Sequence, residues 1–332
     1  MVVPKVKFYK EFYVMNVDLS IIIVAYGIRE VLEECLTALQ ASTDRLNKEV
    51  IYVDNGSQDD SVAMVREKFP EVIVIESPVN LGFTRANNLA YPEAKGQYVL
   101  MLNADAFVFP ETLQKSYEFM EQHPDCGVMG ARLVGRDGKL QPSARYFPTP
   151  WRIFLTRLGW DHPKIPFLKG IDDMQRDHHQ VLECDWVPGC YLVTRKSIVD
   201  SLGFFLRHDF FMYFDDADIC LRIKRQGWKV LYCPIEVIHL GGANSAKVSQ
   251  VTEKGRQIAK LNTESEFIYF RQNYHLLYLL WDMLLIVAYA KLRTFKKVLT
   301  FRKTPSFQEI WQPVGSAYRI LRDTHFGQRP LH

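Results

Sequence analysis

The chain has 332 residues, of which 48% are apolar and 24% charged, and carries a net charge of +3 at neutral pH. That length suits one large domain with an appendage or two domains, and the composition is that of a folded protein. The charge is too small to imply a nucleic-acid partner, and six cysteines without C-x-x-C spacing argue against a structural zinc site or a disulfide scaffold and fit a reducing setting.

The first segment, MVVPKVKFYKEFYVMNVDLS, interrupts its apolar residues with lysines and a glutamate, so it reads as a leader over residues 1–17 and not as a secretory signal. From Leu19, LSIIIVAY is a short β-branched run of the kind that forms a buried strand, and Arg29 to Leu39 follows with helical spacing. A second strand ends in Asp54-Asn55-Gly56-Ser57, with Asp59 to Ser61 placed to cap the next helix. A strand over Glu71 to Glu76 leads to VNLGFTRANNLA, and the strand Gln97 to Leu102 breaks at Asn103-Ala104-Asp105 before Pro110 opens another helix. Such strand and helix units predict a parallel, doubly wound sheet, with ligand sites beyond the carboxyl ends of the strands. Those ends carry neither G-x-G-x-x-G nor G-x-x-x-x-G-K-[ST], so a Rossmann dinucleotide fold and a P-loop are disfavoured. Asp, Asn and Gly are also what any strand-to-helix turn prefers.

The segment GVMGARLVG, with a hairpin turn at Asp137-Gly138, predicts a change to antiparallel or mixed pairing. Gln141 to Gln180, rich in proline and aromatics, reads as an irregular substrate-side region. His178-His179 near Asp172, Asp173 and Asp177 has the residue types of a metal site, although such a cluster is more often solvated surface. The segment ECDWVPGCYLVTRKSIVDSLGFF then predicts a strand, a Pro188-Gly189 turn, a second strand and a short helix.

The stretch from Phe210 to Ser245 carries the strongest chemical signal. Phe210, Phe211, Tyr213 and Phe214 precede Asp215, Asp216 and Asp218 at the start of a helix that stops at Gly227. A short strand, Lys229 to Cys233, and then His239 before Gly241-Gly242 follow. Carboxylates at a helix entrance complement its dipole. Three of them behind an aromatic wall, with a histidine nearby, also suit a base and a metal ligand in a cleft. Toward the C-terminus, Glu264 to Tyr274 is amphipathic, and Leu276 to Ala290 is apolar except for Asp282, short of the roughly 20 residues that span a bilayer. The basic run Lys291, Arg293, Lys296, Lys297, Arg302 and Lys303 adjoins it, which predicts docking on an anionic membrane surface. A core helix and a homodimer interface are the alternatives.

In order, SIIIVAYG, VDNGSQDDS, NLGFTRANN, LNADAFVFP, WVPGCYLVTR and FDDADICLRIKRQGWKVLYCP with VIHLGG resemble the inverting glycosyltransferases of family 2, in particular their bacterial rhamnosyltransferase-like branch. The resemblance implies a GT-A fold over residues 18–245: an α/β domain with a Rossmann-like nucleotide half and a mixed-sheet acceptor half, followed by a helical, membrane-associating extension over 246–332. It implies a nucleotide-sugar donor, dTDP-rhamnose or a UDP-sugar, held by Ala25, Tyr26, Asp54, Asn80, Gly82, Asn88, Asn103 and Ala104. Trp186 and Gly189 match the loop that closes over donor and acceptor. Asp105 and His239 match ligands of Mn²⁺ or Mg²⁺, hard cations suited to a diphosphate. Asp216 matches the general base, and Asp215 and Asp218 the acids that orient acceptor or helix.

Ala25 and Gly27 stand where relatives usually have Thr and Asn, and Asn103 replaces the first acid of Asp-x-Asp. The Gln-x-x-Arg-Trp signature of processive synthases is absent, so the expected reaction adds one sugar to a saccharide or lipid-linked saccharide at the cytoplasmic face of the cell membrane. A catalytically silent nucleotide-sugar-binding scaffold is the alternative of a different class. A nucleotidyltransferase would need a glycine-rich basic loop that Ala25-Tyr26-Gly27-Ile28 does not supply.

Overall fold

The computed structural model describes residues 17–160, 162, 165–241, 253–300 and 305–332. The expected leader, apart from Val17, lies outside the described residues, as do Gly242 to Ser245, Arg302 and Lys303.

Leu19–Ala25 (β1) is apolar apart from Ser20 because it is buried on both faces, at the centre of a parallel set. Lys48–Asn55 (β2) and Tyr98–Asn103 (β4) flank it in parallel, and Ile73–Ser77 (β3) extends the set beside β2. Beyond β4 the pairing becomes mixed. Tyr191–Arg195 (β8) runs antiparallel to β4 and to Cys126–Val134 (β6), and β6 pairs in parallel with Lys229–His239 (β9). Ala106–Val108 (β5) and Leu182–Glu183 (β7) both run antiparallel to β9. Among the described residues the sheet has nine strands in the order β3-β2-β1-β4-β8-β6-β9-β5, with β7 beside β9. The expected short strand at 229–233 in fact continues to His239, since Val237 and Ile238 complete the ladder with β5.

Side chains alternate across the sheet with period two. Ile21, Ile23, Tyr52, Leu100 and Leu102 face Arg29–Gln40 (α1), Ser61–Lys68 (α2) and Thr112–Gln122 (α4). Ile22, Val24, Ile51, Val53 and Met101 face Phe83–Ala90 (α3), Pro150–Leu158 (α5), Lys196–Leu202 (α6) and Asp215–Arg225 (α7). Full burial of each such aliphatic side chain contributes about 1.5–3 kcal/mol. The C-terminal helices, Glu253–Asn273 (α8), Leu276–Thr300 (α9) and Phe307–Asp323 (α10), join this second core through Phe267 to Phe270, Leu279, Ile286, Ala317 and Ile320.

α5 lies within the stretch read from sequence as irregular. Its signals are local: Thr149 accepts a hydrogen bond from the Arg152 N–H, Pro150 takes the first helical position, and left-handed Gly159 ends the helix. In α9, Leu279, Asp282, Ile286 and Ala290 turn inward, whereas Leu277, Leu284 and Phe295 are 76%, 69% and 63% exposed. Among the described residues no helix is long and apolar enough to cross a membrane.

Candidate active site

At the carboxyl ends of β1 and β2, Ala25 is buried in register with Asp54, and the next residue, Tyr26, is 47% exposed. Gly27 is left-handed, and its N–H donates to Ser57 Oγ at 3.0 Å. Asp54 is buried, with Oδ1 accepting from the Tyr52 hydroxyl at 2.9 Å and Oδ2 from the Ser57 N–H at 3.1 Å. A carboxylate oxygen accepts more than one hydrogen bond, so Asp54 retains capacity for a base N–H.

Asn80, Gly82 and Asn88, expected beside the donor, all make contacts that position loops. Asn55 Nδ2 donates to Asn80 Oδ1 at 3.1 Å, and Asn80 Oδ1 also accepts from the Gly82 N–H at 2.9 Å. Gly82 sits at φ 79°, ψ 176°, a region open almost only to glycine, and a Cβ there would lie 2.5 Å from the Phe211 carbonyl oxygen. This close approach lets the Phe83 N–H donate to that oxygen at 2.6 Å and fastens the aromatic run ahead of α7. Asn88 donates to Leu206 O at 2.7 Å and accepts from Leu206 N–H at 2.9 Å, so both ends of its amide hold the adjoining loop.

The β5–β9 ladder places Ala106 opposite His239, which brings the imidazole to Asp105 with Nε2 3.6 Å from Oδ1. Gln141 Nε2 donates to His239 O at 2.8 Å, and its Oε1 faces Nδ1 at 2.9 Å. That arrangement assigns the proton to Nδ1 and leaves the Nε2 lone pair toward the carboxylate. Burial lowers the His239 pKa against the opposing effect of Asp105, which favours the neutral, ligating imidazole. Asn103 Oδ1 is buried without a hydrogen-bond partner, and Ala104 beside it is buried. A carboxylate oxygen facing an imidazole lone pair, next to an orphaned amide oxygen, fits a divalent cation. No group of three or more His, Cys, Asp or Glu forms a metal cluster among the described residues, so phosphate and water would supply the other ligands. The His178 cluster is not such a site: His178 is buried with Nε2 2.8 Å from Asp173 O, and Asp172 pairs with Arg145.

At the entrance of α7, Tyr213 and Phe214 are successive left-handed residues without glycine's freedom. This strained corner turns the chain so that the next three acids take different surroundings. Asp215 is buried, and burial followed by the Asp216 charge raises its pKa well above the carboxylate range. Asp216 is half-buried and opens to a cavity, with Oδ2 accepting from Gly189 N–H at 3.1 Å and Oδ1 from Ala217 N–H at 2.9 Å. Burial raises its pKa as well, opposed by the Gly189 N–H and the Arg145 charge. Burial thus raises Asp215 further, and the Gly189 N–H and the Arg145 charge favour ionisation of Asp216 over Asp215. Asp218 is fully buried and pairs with Arg222 at 2.8 Å, Arg207 at 3.3 Å and Asn273 Nδ2 at 2.7 Å, tying α7 to α8.

Trp186 is buried, donates from Nε1 to Tyr146 O at 2.9 Å, and carries the Arg145 guanidinium 4.2 Å from its ring centroid. Both residues line the cavity beside Asp216, about 280 Å³, which also receives Arg157 from α5 and Asn262 and Glu266 from α8. Sequence reading did not single out Arg145, Arg157, Asn262 or Glu266. The Thr149-Pro150 start and Gly159 stop could have exposed α5, but nothing local announces that α8 reaches this cavity.

Residues 20–184 match the family described as Glycosyl transferase family 2. The chain is 27% identical over 234 residues to the N-acetylglucosaminyl-diphospho-decaprenol L-rhamnosyltransferase of Mycobacterium tuberculosis, an alignment covering 67% of this chain and 75% of that one. It is 24% identical over 229 residues to the low-salt glycan biosynthesis hexosyltransferase Agl10 of Haloferax volcanii, covering 67% of each. The fold is similar to that of the mannosyltransferase PcManGT from Pyrobaculum calidifontis, solved with GDP-Man and Mn²⁺, with a TM-score of 0.54 at 15% identity over 95% of this chain and 88% of that one. It is also similar to S. aureus TarS 1-349, with a TM-score of 0.50 at 17% identity over 92% and 81%. The motifs and the GT-A sheet agree with this match, and the chain carries a glycosyltransferase family 2 domain over residues 20–184.

Proposed function

We propose that the protein transfers a single sugar, with inversion, from a nucleotide-sugar donor to a hydroxyl of a saccharide or lipid-linked saccharide. The observation that carries this reading is Asp216: a carboxylate oriented by two backbone N–H groups, raised in pKa by burial, and open to a cavity. Asp216 takes the proton of the acceptor hydroxyl as that oxygen bonds to the anomeric carbon, while the bond to the diphosphate breaks and its electron pair leaves with the diphosphate. Tyr26 and Asp54 receive the nucleoside base, with Ala25 leaving space beside them. Asn103 and Ala104 line the approach to the diphosphate. A Mn²⁺ or Mg²⁺ ion held by Asp105 and His239 would neutralise charge on the departing diphosphate. Asn80, Gly82 and Asn88 fix the loops that flank the donor, and Gly189 and Trp186 fix the side facing the acceptor.

The donor is dTDP-rhamnose in this reading, supported by the rhamnosyltransferase named among the relatives. The exposed apolar side of α9, together with Lys291, Arg293, Lys296 and Lys297, supports peripheral docking on the cytoplasmic leaflet. Calorimetric titration with dTDP and UDP, each with Mn²⁺ and with EDTA, tests the donor side. Metal-dependent binding of dTDP, with turnover of dTDP-rhamnose, is the expected result. Binding of UDP alone would replace the donor, and binding of neither nucleotide would remove the transferase reading.

A further inference from the structure

We infer that the cavity between Asp216 and α8 is a subsite for one neutral pyranose ring of the acceptor, and that Arg157, Glu266 and Asn262 select that ring by its hydroxyls. The inference rests on the glycosyl-transfer reading and goes further, because Glu266 and Asn262 lie outside the segment that defines the family.

Size comes first. At about 280 Å³ the cavity falls just below the usual span of ligand pockets, roughly 300 to 1,000 Å³, and it suits one ring and not two. Asp216 lies in its wall, so a ring seated there presents a hydroxyl to the base. Pro148, Ile153, Ile171 and Phe214 supply the apolar surface that a ring's C–H face requires.

Charge decides the class. Arg145 pairs with Asp172 at 2.6 Å, and Arg157 pairs through Nη2 with both oxygens of Glu266, at 3.0 and 2.7 Å. Each cation lining the cavity is thus paired with a carboxylate, and its charged residues, Arg145, Arg157, Asp216 and Glu266, balance one another. A uronic acid or phosphorylated sugar would lose its hydration there without gaining an uncommitted cation, and would face Asp216. A neutral ring meets no such penalty. The arginine fork and the carboxylate remain able to donate to and accept from adjacent hydroxyls, and exposed Asn262 adds an amide at the rim.

α8 is held firmly enough to act as a wall. Asn273 donates to Asp218 at 2.7 Å, Ser265 Oγ donates to Met212 O at 2.7 Å, and Tyr269 packs 5.4 Å from Phe214 between ring centroids. The hydroxyl-binding groups are therefore set by the same contacts that set the base.

The test uses the full chain with octyl β-glycosides of N-acetylglucosamine, glucose and glucuronic acid. It reads acceptor KM, dTDP and UDP affinity, and donor hydrolysis without acceptor in the wild type, Asn262→Ala, Arg157→Lys and Glu266→Gln. The expected result is use of the neutral glycosides at least about ten-fold better than the uronide in kcat/KM. Asn262→Ala and Arg157→Lys should raise acceptor KM about three- to ten-fold with nucleotide affinity and hydrolysis unchanged, and Glu266→Gln should act in the same direction. Equal use of uronide and neutral glycosides, or unchanged acceptor KM in both Asn262→Ala and Arg157→Lys, overturns the subsite while leaving the transferase reading intact. Absence of nucleotide binding and of hydrolysis overturns that reading and the subsite with it.

Discussion

The Gly189 N–H donates to Asp216 Oδ2 at 3.1 Å, joining the loop before β8 to the first turn of α7. A Cβ on Gly189 would press on the flexible end of the Met101 side chain, 2.7 Å from Cε, and would lie in ordinary contact with Asp216 Cβ at 3.5 Å. With the Ala217 N–H on Oδ1, the Gly189 N–H directs a half-buried carboxylate toward the cavity lined by Arg145 and Trp186.

Asp216→Asn should reduce turnover by about 10²- to 10⁴-fold, the usual cost of a lost general base, without changing nucleotide affinity. Burial raises the Asp216 pKa, so wild-type turnover should fall as pH drops through a value above that of an ordinary aspartate. A kcat–pH profile with an uncharged acceptor measures this. A flat profile down to pH 4 would remove Asp216 as the base.

Gln141 orients His239 through its Nδ1, at 2.9 Å, while donating to its carbonyl. Loss of a partner that orients a metal-ligating imidazole costs about 10- to 100-fold in metal affinity, so Gln141→Ala should weaken Mn²⁺ binding by that amount. Asp105→Ala should weaken it further. Mn²⁺ titration in the presence of the nucleotide reads both, and wild-type affinity in Asp105→Ala would exclude this corner as the cation site.

Gly82→Ala places a methyl 2.5 Å from the Phe211 carbonyl oxygen at a backbone angle that alanine avoids. The strain alone is about 1–3 kcal/mol, and relief requires the segment ahead of α7 to move. Lower thermal stability and impaired turnover should appear together in one variant. Unchanged melting and turnover would show that this contact is dispensable.

Asp282 is buried in α9 with neither carboxylate oxygen hydrogen-bonded, and burial followed by the Glu266 charge raises its pKa well above the usual range. A carboxyl whose folded pKa exceeds its unfolded value of about 3.9 stabilises the fold below that value, and this contribution is lost as pH rises toward the folded pKa. Asp282→Asn should therefore raise Tm relative to wild type at pH 7–8, with the gap closing toward pH 4, by roughly 1–2 °C for each kcal/mol removed. Melting curves across that range check the sign, and a variant less stable at pH 8 than at pH 4 relative to wild type would contradict it.

The paired change Leu284→Glu and Phe295→Glu alters two exposed residues of α9 and should leave the fold and nucleotide binding intact. It should greatly reduce co-sedimentation with phosphatidylglycerol vesicles, since it removes apolar area and adds repulsion from anionic lipid. Undiminished co-sedimentation would place the membrane face elsewhere on the chain.

Much of the nucleotide half was legible because its signals are local. The β-branched run at Leu19–Ala25 and the polar breaks at Asp54-Asn55-Gly56 and Asn103-Ala104-Asp105 mark strands and their ends without reference to distant residues. The aspartates before the helical pattern at Ile219 likewise announced the entrance of α7. α5 was missed because its proline and aromatic content outweighed its Thr-Pro start and Gly stop.

By itself the sequence determined the parallel strands β1 to β4, their polar ends and the acidic entrance of α7, since each follows from backbone preference and side-chain periodicity over a few residues. Only the tertiary structure decided what those residues face. Asp105 meets His239 because β5 pairs with β9, and Asp215, Asp216 and Asp218 part into a buried acid, a carboxylate open to the cavity and a helix anchor because different surfaces close over each. Glu266 reaches the cavity because α8 packs on the strained corner at Tyr213 and Phe214. Desolvation and ion pairing act through space between residues far apart in the chain, so they emerge only when the sheet and the C-terminal helices share one core.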